Sequence, residues 1–360
     1  MSTFEEIGGW PRVLDRLLSG DSLSEADAAG VMGEILSGRA TQAQTAGFVV
    51  ALRAKGVSVE EMTGLARSML AHAEPLDIDG DLVDVVGTGG DRLGSINVST
   101  IAAFIVAGAG VRVCKHGNRA ASSSVGTADV LEALGVAVDL GPDGVSRCVE
   151  EAGMGFCFAP RFHPAMRHAG PVRRELGVPT VFNFLGPLAN PARARFQLVG
   201  VSDPAMAPVM AGVLAANKTT RSMVVYADDG LDELSVTSPS TVVEVVSSDR
   251  GDAEVHTWRL DPSDLGLPRS AMESLRGGDA AFNAEVIRRV LDGETGPRRD
   301  IGVLNAAAAL VVSGKCTDLA DGLAVAAKSV DSGRAAEVLD ALVSVSKECA
   351  DEEQRASERH

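Results

Sequence analysis

Aromatic residues are scarce: Phe, Trp and Tyr make up 4% of 360 residues, with two Trp and one Tyr among them. A single-stranded nucleic-acid surface is built from stacking aromatics in a basic groove, and the formal net charge here is −16. That function class therefore lacks both of its supports. Taken alone, an acidic balance speaks to solubility more than to a partner. The five cysteines include no C-x-x-C pair. Neither a disulfide framework nor a zinc site is expected, and reduced thiols suit a cytoplasmic protein. Long hydrophobic runs are also missing. The longest run of small and apolar residues, 101–111, is far too short to cross a bilayer. The opening MSTFEEIGG has no basic n-region and no apolar h-region, so no secretory leader is expected. The strand–loop region described next holds no G-x-x-x-x-G-K-[ST] and no G-x-G-x-x-G, which leaves an ordinary ATP site or dinucleotide site unsupported.

The stretch from Asp84 to Gly135 is the informative one. Two apolar runs, 82–86 and 111–114, read as buried strands, and each opens into a loop of small and polar residues. The first loop is Gly87-Thr88-Gly89-Gly90-Asp91, followed by Asn97-Val98-Ser99-Thr100 and an apolar helix over 101–109. The second is Lys115-His116-Gly117-Asn118-Arg119, followed by Ser122-Ser123-Ser124 and a helix over 128–134. Glycines let main-chain N–H groups approach an anion, and a helix N-terminus adds a favourable dipole. Parallel strands would bring both loops to one carboxyl edge of a sheet, so the pair points to a phosphorylated ligand. Arg112, Lys115, His116 and Arg119 form a local cationic site within an otherwise acidic chain.

Before this stretch, residues 11–73 read as helical. Thr41-x-x-Gln44 and Ser58-x-x-Glu61 are capping boxes, and Gly38 and Gly56 stand where helices would end. Met62, Leu65, Ala66, Met69 and Leu70 share one face, a packing stripe for later helices or a second subunit. After it, strands are expected at 136–140, 156–159, 196–201 and 222–227, with a hairpin at 241–246 and 253–260. Helices are expected at 143–152, 206–216, 281–291, 300–313, 319–329 and 333–347. A helical interruption at 165–176 breaks at Gly170-Pro171 and stops at Gly177. The domain reading is a small helical domain over 1–75, completed by helices in about 165–190, and a large α/β domain over 76–164 and 191–347. Residues 348–360, polar and without apolar period, read as a flexible tail.

Asp232 and Glu233 would face opposite ways on a strand but can converge in a turn after Gly230. Hard carboxylate oxygens beside phosphate loops suit Mg²⁺, and Ser99 could add a hydroxyl. Arg173 and Arg174 are either a surface pair with Glu175 or a fork for a substrate carboxylate. His163 reads first as a helix cap, with a substrate contact as the alternative. Cys114 and Cys157 read as buried packing groups.

In order and spacing, GTGGD (87–91), NVST (97–100), KHGNRAASS (115–123), GTADVLEALG (126–135), HPAM (163–166), PVRRELG (171–177), FNFLGPLANP (182–191) and GLDELS (230–235) resemble the anthranilate phosphoribosyltransferase family. The resemblance runs from about 11 to about 345. It implies a nucleoside-phosphorylase-like phosphoribosyltransferase fold, a small all-helical domain plus a large α/β domain with a mainly parallel central sheet. It also implies tryptophan biosynthesis, a homodimer through the helical domain, and Mg²⁺, two ions per active site. The implied phosphoribosyl diphosphate contacts are Gly87, Gly90, Asp91, Ser95, Asn97, Val98, Ser99, Thr100, Lys115, His116, Gly117, Asn118, Arg119, Ala120, Ala121, Ser122, Ser123 and Thr127. Those to anthranilate are Gly87, Asn118 and Arg173, and the metal ligands are Ser99, Asp232 and Glu233. Lys115 is implied as an electrostatic stabiliser, with no general acid or base. Departures are Val125, where a small polar residue is common, and Pro179, where arginine is frequent. Two other readings share the architecture: a pyrimidine nucleoside phosphorylase, and a non-catalytic nucleic-acid-binding relative. The first has a different phosphate motif and leaves the acidic pair unexplained; the net charge speaks against the second. The helical part would supply Arg173 and the α/β part the phosphate loops, so two separately packed bodies would close at crossings near 74–80, 164 and 191.

Overall fold

The computed structural model describes residues 4–120, 125–248 and 252–358. Four helices open the chain: α1 (Gly9–Leu18), α2 (Glu25–Leu36), α3 (Gln42–Lys55) and α4 (Val59–Ala71). Both expected capping boxes form, Thr41 with Gln44 and Ser58 with Glu61. Glu61 does more than cap. Fully buried, it accepts the Leu23 N–H at 2.9 Å and the Ser58 N–H at 2.8 Å, and pairs with Lys55 at 2.9 Å. That ties the α1–α2 connection to the start of α4.

Seven strands make one sheet in the order β3-β2-β1-β4-β5-β6-β7. They are β1 (Val83–Gly87), β2 (Val113–Gly117), β3 (Met154–Phe158), β4 (Phe196–Gly200), β5 (Arg221–Ala227), β6 (Ser240–Ser247) and β7 (Ala253–Leu260). The first five in this order run parallel to one another, and the β6–β7 hairpin adds an antiparallel edge. The apolar strands alternate faces. Val83, Val85, Leu198, Met223, Val225 and Val242 join the core shared with α5 (Val98–Gly108) and the helix Pro297–Val312. From Ile101 onward α5 is apolar all round and correspondingly buried on every side, while Ser99 in its first turn is not buried.

The opposite face changes the expected domain picture. Val86, Val199, Val201, Val224, Val243 and Val245 belong to the same apolar cluster as the interiors of α1–α4 and the helix Ala207–Ala216. Arg67 of α4 donates to the Ala216 carbonyl at 2.7 Å and to Asn217 at 3.1 Å. The helical part is thus not a separately packed body. Its core continues into the sheet because the Met–Leu stripe of α4 needed an apolar partner and the Ala-rich helix 207–216 supplied one.

Two local expectations fail for identifiable reasons. Residues 136–140 are extended but pair with no strand. Their alternating burial, with Val136, Val138 and Leu140 inward, comes from packing beside the last helix, and the Ala137 N–H donates to the Ser346 hydroxyl at 3.1 Å. The supposed tail is helical: Arg334–Ser357 is one helix. Its last turns are held by charge rather than by apolar burial. Glu353 accepts the Gly141 N–H at 3.0 Å, and Arg147 pairs with Glu348 at 2.9 Å and Glu352 at 3.2 Å. Among the described residues no helix is long and apolar enough to cross a membrane.

Candidate active site

β1 and β4 are neighbours at the point where the strand order reverses, the place where open α/β sheets form a crevice. Gly87 and Gly200 end these strands in register. Across them lies the loop after β5. A Cβ at Gly200 would run into the Asp232 main chain, and one at Gly87 into the Asp232 carboxylate. The glycine pair is what lets the acidic loop lie flat on the strand ends. Asp232 accepts the Gly89 N–H at 2.7 Å, and Glu233 accepts the Ser99 N–H at 3.1 Å. Asn305 of the helix Pro297–Val312 fixes the next residue, accepting the Leu234 N–H at 3.0 Å and donating to its carbonyl at 2.9 Å. Asp229 gathers the Ser235 hydroxyl at 2.7 Å, the Thr237 hydroxyl, and the Leu231 N–H at 3.0 Å. The two adjacent carboxylates converge as the turn reading requires.

The electrostatics of this edge call for a cation. Burial, with Asp91 adding to it, pushes the Asp232 carboxyl up to about 6. Burial and then Asp232 hold Glu233 well above the usual carboxylate range. Lys115 is pulled down by burial, while Asp84, Glu233 and Asp232 oppose the fall. Its ammonium donates to the Val85 carbonyl and to the Ser99 hydroxyl, the latter at 3.1 Å. Desolvated carboxylates that resist ionisation regain their charge beside a divalent ion. Among the described residues no group of three His, Cys, Asp or Glu could hold a metal alone. The donor set therefore fits Mg²⁺, which takes one or two carboxylates and completes its shell with substrate phosphates and water.

The opposite wall is less polar. Arg173, half-desolvated, lies over the Phe182 ring with its guanidinium 5.8 Å from the centroid. Burial lowers its pKa, and it makes no ion pair among the described residues. His116 and His163 stand side by side with ring centroids 5.1 Å apart. His116 Nδ1 faces the Gly186 carbonyl and His163 Nε2 the Ala189 carbonyl, each at 2.9 Å. A carbonyl only accepts, so those nitrogens carry the protons. The other nitrogen of each ring is a buried acceptor without a protein partner. His163 stands at the N-cap position of Pro164–His168, as expected, but its side chain makes no capping hydrogen bond.

Burial carries the His116 pKa down to about 3 and that of His163 to about 4. The sign for stability follows. An unfolded histidine takes up a proton near its ordinary value of 6.5, and folded His163 does so only near 4, so the contribution is present above 6.5 and is lost as pH falls through that window. The difference in unfolding free energy between the parent and His163→Gln should fall by about 1.4 kcal/mol per pH unit within the window. Urea titrations at several pH values measure it. A pH-independent difference would contradict a buried neutral imidazole.

These walls enclose a cleft of about 610 Å³. It brings together Gly87, Gly90, Asp91, Ser95, Asn97, Val98, Ser99, Lys115, His116, Gly117, Asn118, Arg119, Ala120, Thr127, Arg173, Asp232 and Glu233. Arg174 also lines it, so both members of the arginine pair do. Thr100 does not. It is fully buried under the loop in the first turn of α5, with its N–H bonded to the Asn97 carbonyl. Arg119 reaches the cleft with its charge already engaged by Asp129 and Glu132. Ala121, Ser122 and Ser123 lie outside the described residues. Cys114 and Cys157 are buried with sulfurs 3.4 Å apart, as packing groups. Sequence reasoning missed Gly200, Asn305, and Asn283, whose amide donates to Asn97 Oδ1 at 2.9 Å. A lone Gly or Asn in an apolar run was the only signal they gave.

Comparison with known proteins agrees with this geometry. Residues 11–73 match the helical bundle domain of a glycosyl transferase family, and residues 79–336 match that family's α/β domain. The anthranilate phosphoribosyltransferase of Salinispora arenicola is 56% identical over 345 residues, covering 93% of this chain and 96% of the relative. The crystal structure of the same enzyme from Thermus thermophilus is similar at a TM-score of 0.87 and 42% identity, covering 93% of this chain and 99% of that one. The Saccharomyces cerevisiae enzyme in complex with PRPP and Mg is similar at a TM-score of 0.85 and 28% identity, covering 94% and 98%.

Proposed function

That this chain belongs to the anthranilate phosphoribosyltransferases is the premise from which we propose how its cleft works and which residues take part. The enzyme transfers the phosphoribosyl group of 5-phospho-α-D-ribose 1-diphosphate to the amine of anthranilate, releasing N-(5-phosphoribosyl)anthranilate and diphosphate, in tryptophan biosynthesis. The observation that carries the division of labour is the cleft itself, with a carboxylate pair and a lysine on one side and a desolvated, unpaired arginine on the other.

Diphosphate departs from the anomeric carbon, which takes on oxocarbenium character as in glycoside cleavage. The donor occupies the glycine loop and the Asn97–Ser99 turn, with Asn97 oriented by Asn283. Mg²⁺, held by Asp232, Glu233 and Ser99 in two ions per site, would neutralise charge on the diphosphate. Lys115 does the same from below with a third donor left free by Val85 and Ser99. Arg173 takes the anthranilate carboxylate in a fork. His116 and His163 line the cleft as neutral imidazoles held by the Gly186 and Ala189 carbonyls. Their low basicity agrees with a neutral nucleophile that needs no general base. Water is kept from the reacting carbon by the apolar wall of Phe182 and Pro187.

A homodimer through the helical bundle accounts for Leu18 of α1 and Val50 of α3 standing exposed. A cytoplasmic setting accords with cysteines that are all free among the described residues. Loss of anthranilate fluorescence on adding donor and Mg²⁺, abolished by EDTA, is the expected result of a direct assay. Turnover of thymidine with phosphate in place of it would favour the phosphorylase reading, and a mobility shift with nucleic acid at moderate salt the binding one.

A further inference from the structure

Asparagine at a helix N-cap ordinarily accepts a main-chain N–H of the first turn with its side-chain oxygen. Asn97 holds that position in α5 and makes no such bond. The first-turn N–H groups are met otherwise: Ser99 donates to Glu233 at 3.1 Å, and Thr100 and Ile101 each donate to the Asn97 main-chain carbonyl at 3.1 Å. The Asn97 side-chain oxygen is taken by Asn283, buried at the start of the helix Ala280–Leu291, whose amide donates to it at 2.9 Å. The Asn283 oxygen in turn accepts the Gly278 N–H at 2.8 Å, and the Asn97 amide donates to the Val125 carbonyl at 3.4 Å. Both ends of this chain are main-chain groups with fixed roles. A peptide N–H only donates and a carbonyl only accepts, so neither side-chain amide can turn over without setting two like groups against each other.

The stretch before Asn283 meets the same loop. The Ile96 N–H donates to the Leu275 carbonyl at 3.0 Å and the Gly277 N–H to the Gly94 carbonyl at 2.8 Å, with an antiparallel bridge between Ser95 and Arg276. A Cβ at Gly277 would stand 2.8 Å from the Ser95 carbonyl oxygen and 2.9 Å from Asn283 Oδ1, so only glycine admits this approach. Arg298 holds the stretch from its other side, donating to the Ser274 carbonyl at 3.1 Å with its guanidinium 5.4 Å from the Phe282 ring centroid.

We propose that residues 275–283 are the template on which the donor loop 94–97 is set before substrate arrives, and that Asn283 is a positioning residue. By holding the Asn97 oxygen it keeps the second N–H of the Asn97 amide for the phosphorylated donor. None of residues 275–283 lines the cleft, so the segment acts through the loop and not on the substrate. This deepens the placement of the donor given above, on which it rests.

A double-mutant cycle on donor binding tests it, read by calorimetric titration of phosphoribosyl diphosphate with Mg²⁺ and without anthranilate. Asn283→Ala should weaken binding about tenfold, the worth of one hydrogen bond to a charged group. The donor KM should rise with it and the anthranilate KM stay within about twofold, a split that general loosening of the fold would not give. In an Asn97→Ala background the same substitution should cost less than about twofold, since no amide is left to be turned. If Asn283→Ala does not fold, Asn283→Asp takes its place in the cycle: it keeps the Gly278 bond and has no N–H for Asn97. Equal losses in both backgrounds, or parallel rises in both KM values, would overturn the proposal. So would parent-like donor binding by the Asn283 variant where Asn97→Ala binds weakly. Parent-like binding by Asn97→Ala would instead take Asn97 out of the donor site, and the proposal with it.

Discussion

Replacing Asp232 with Asn and Glu233 with Gln together is expected to lower kcat/KM by about a thousandfold, in the range found when charge-stabilising groups are removed from the transition state. Both carboxylates are buried at the strand ends, and each already accepts one main-chain N–H, from Gly89 and Ser99. Amide oxygens can keep those two bonds, so the loop stays in place. What is lost is charge. The concentration of Mg²⁺ needed for half-maximal rate should rise steeply, and calorimetric titration of donor in the presence of Mg²⁺ should show weakened binding. Stability should move the other way. Burial raises both carboxyl pKa values, with Asp91 adding to it at Asp232 and Asp232 adding to it at Glu233, so neutral amides remove a penalty, and the melting temperature of the double variant should not fall. An unchanged Mg²⁺ titration curve would remove the pair from the metal site.

Arg173→Ala is expected to raise the anthranilate KM by about a hundredfold, the worth of two charge-assisted hydrogen bonds to a carboxylate at about 1.5 kcal/mol each. The donor KM should move by no more than a few-fold, because the phosphate loops lie on the other wall. The guanidinium is desolvated, stacked on Phe182 and without an ion pair among the described residues, a costly state that an arriving carboxylate relieves. Arg173→Lys should recover little, since an ammonium offers no planar fork. Arg174→Ala is the internal control. Steady-state kinetics with each substrate varied in turn decide the matter, and equal effects on both substrates, or a larger effect at Arg174, would reassign the carboxylate site.

That the two glycine-containing loops would meet at one edge of the sheet was legible because their composition is local. Gly87 to Asp91 and Lys115 to Arg119 announce themselves by composition, and the capping boxes at Thr41 and Ser58 need only three residues of context. Convergence of Asp232 with Glu233 was legible as a possibility, but what enforces it was not. Asn305 lies in an otherwise Ala-rich helix about seventy residues downstream, and Gly200 ends an ordinary-looking strand. Asn283 was hidden for the same reason, as one amide in a helix far along the chain from the loop it meets. The run 136–140 shows the limit of period-two patterns. Alternation reports a buried face, and a helix can bury it as well as a neighbouring strand can. The end of the chain shows the converse. A polar segment without apolar period still formed a helix, because Gly141 and Arg147 supplied polar partners that no periodicity count registers.

The apolar cluster that runs from α1–α4 through the helix Ala207–Ala216 into one sheet face also bears on how such a protein can be recombined. The opening bundle reads in sequence as a detachable module ending near residue 75. Its interior, however, is finished by residues more than a hundred positions later: Val59 of α4 lies against Gly212 so closely that a Cβ there would collide with it. A chimaera that exchanged only the first 75 residues with those of a distant relative would mismatch this surface while leaving every residue of the cleft's phosphate edge correct. The unit of exchange is the bundle together with the helix Ala207–Ala216 and the valines beneath it, a module contiguous in space and split in the gene.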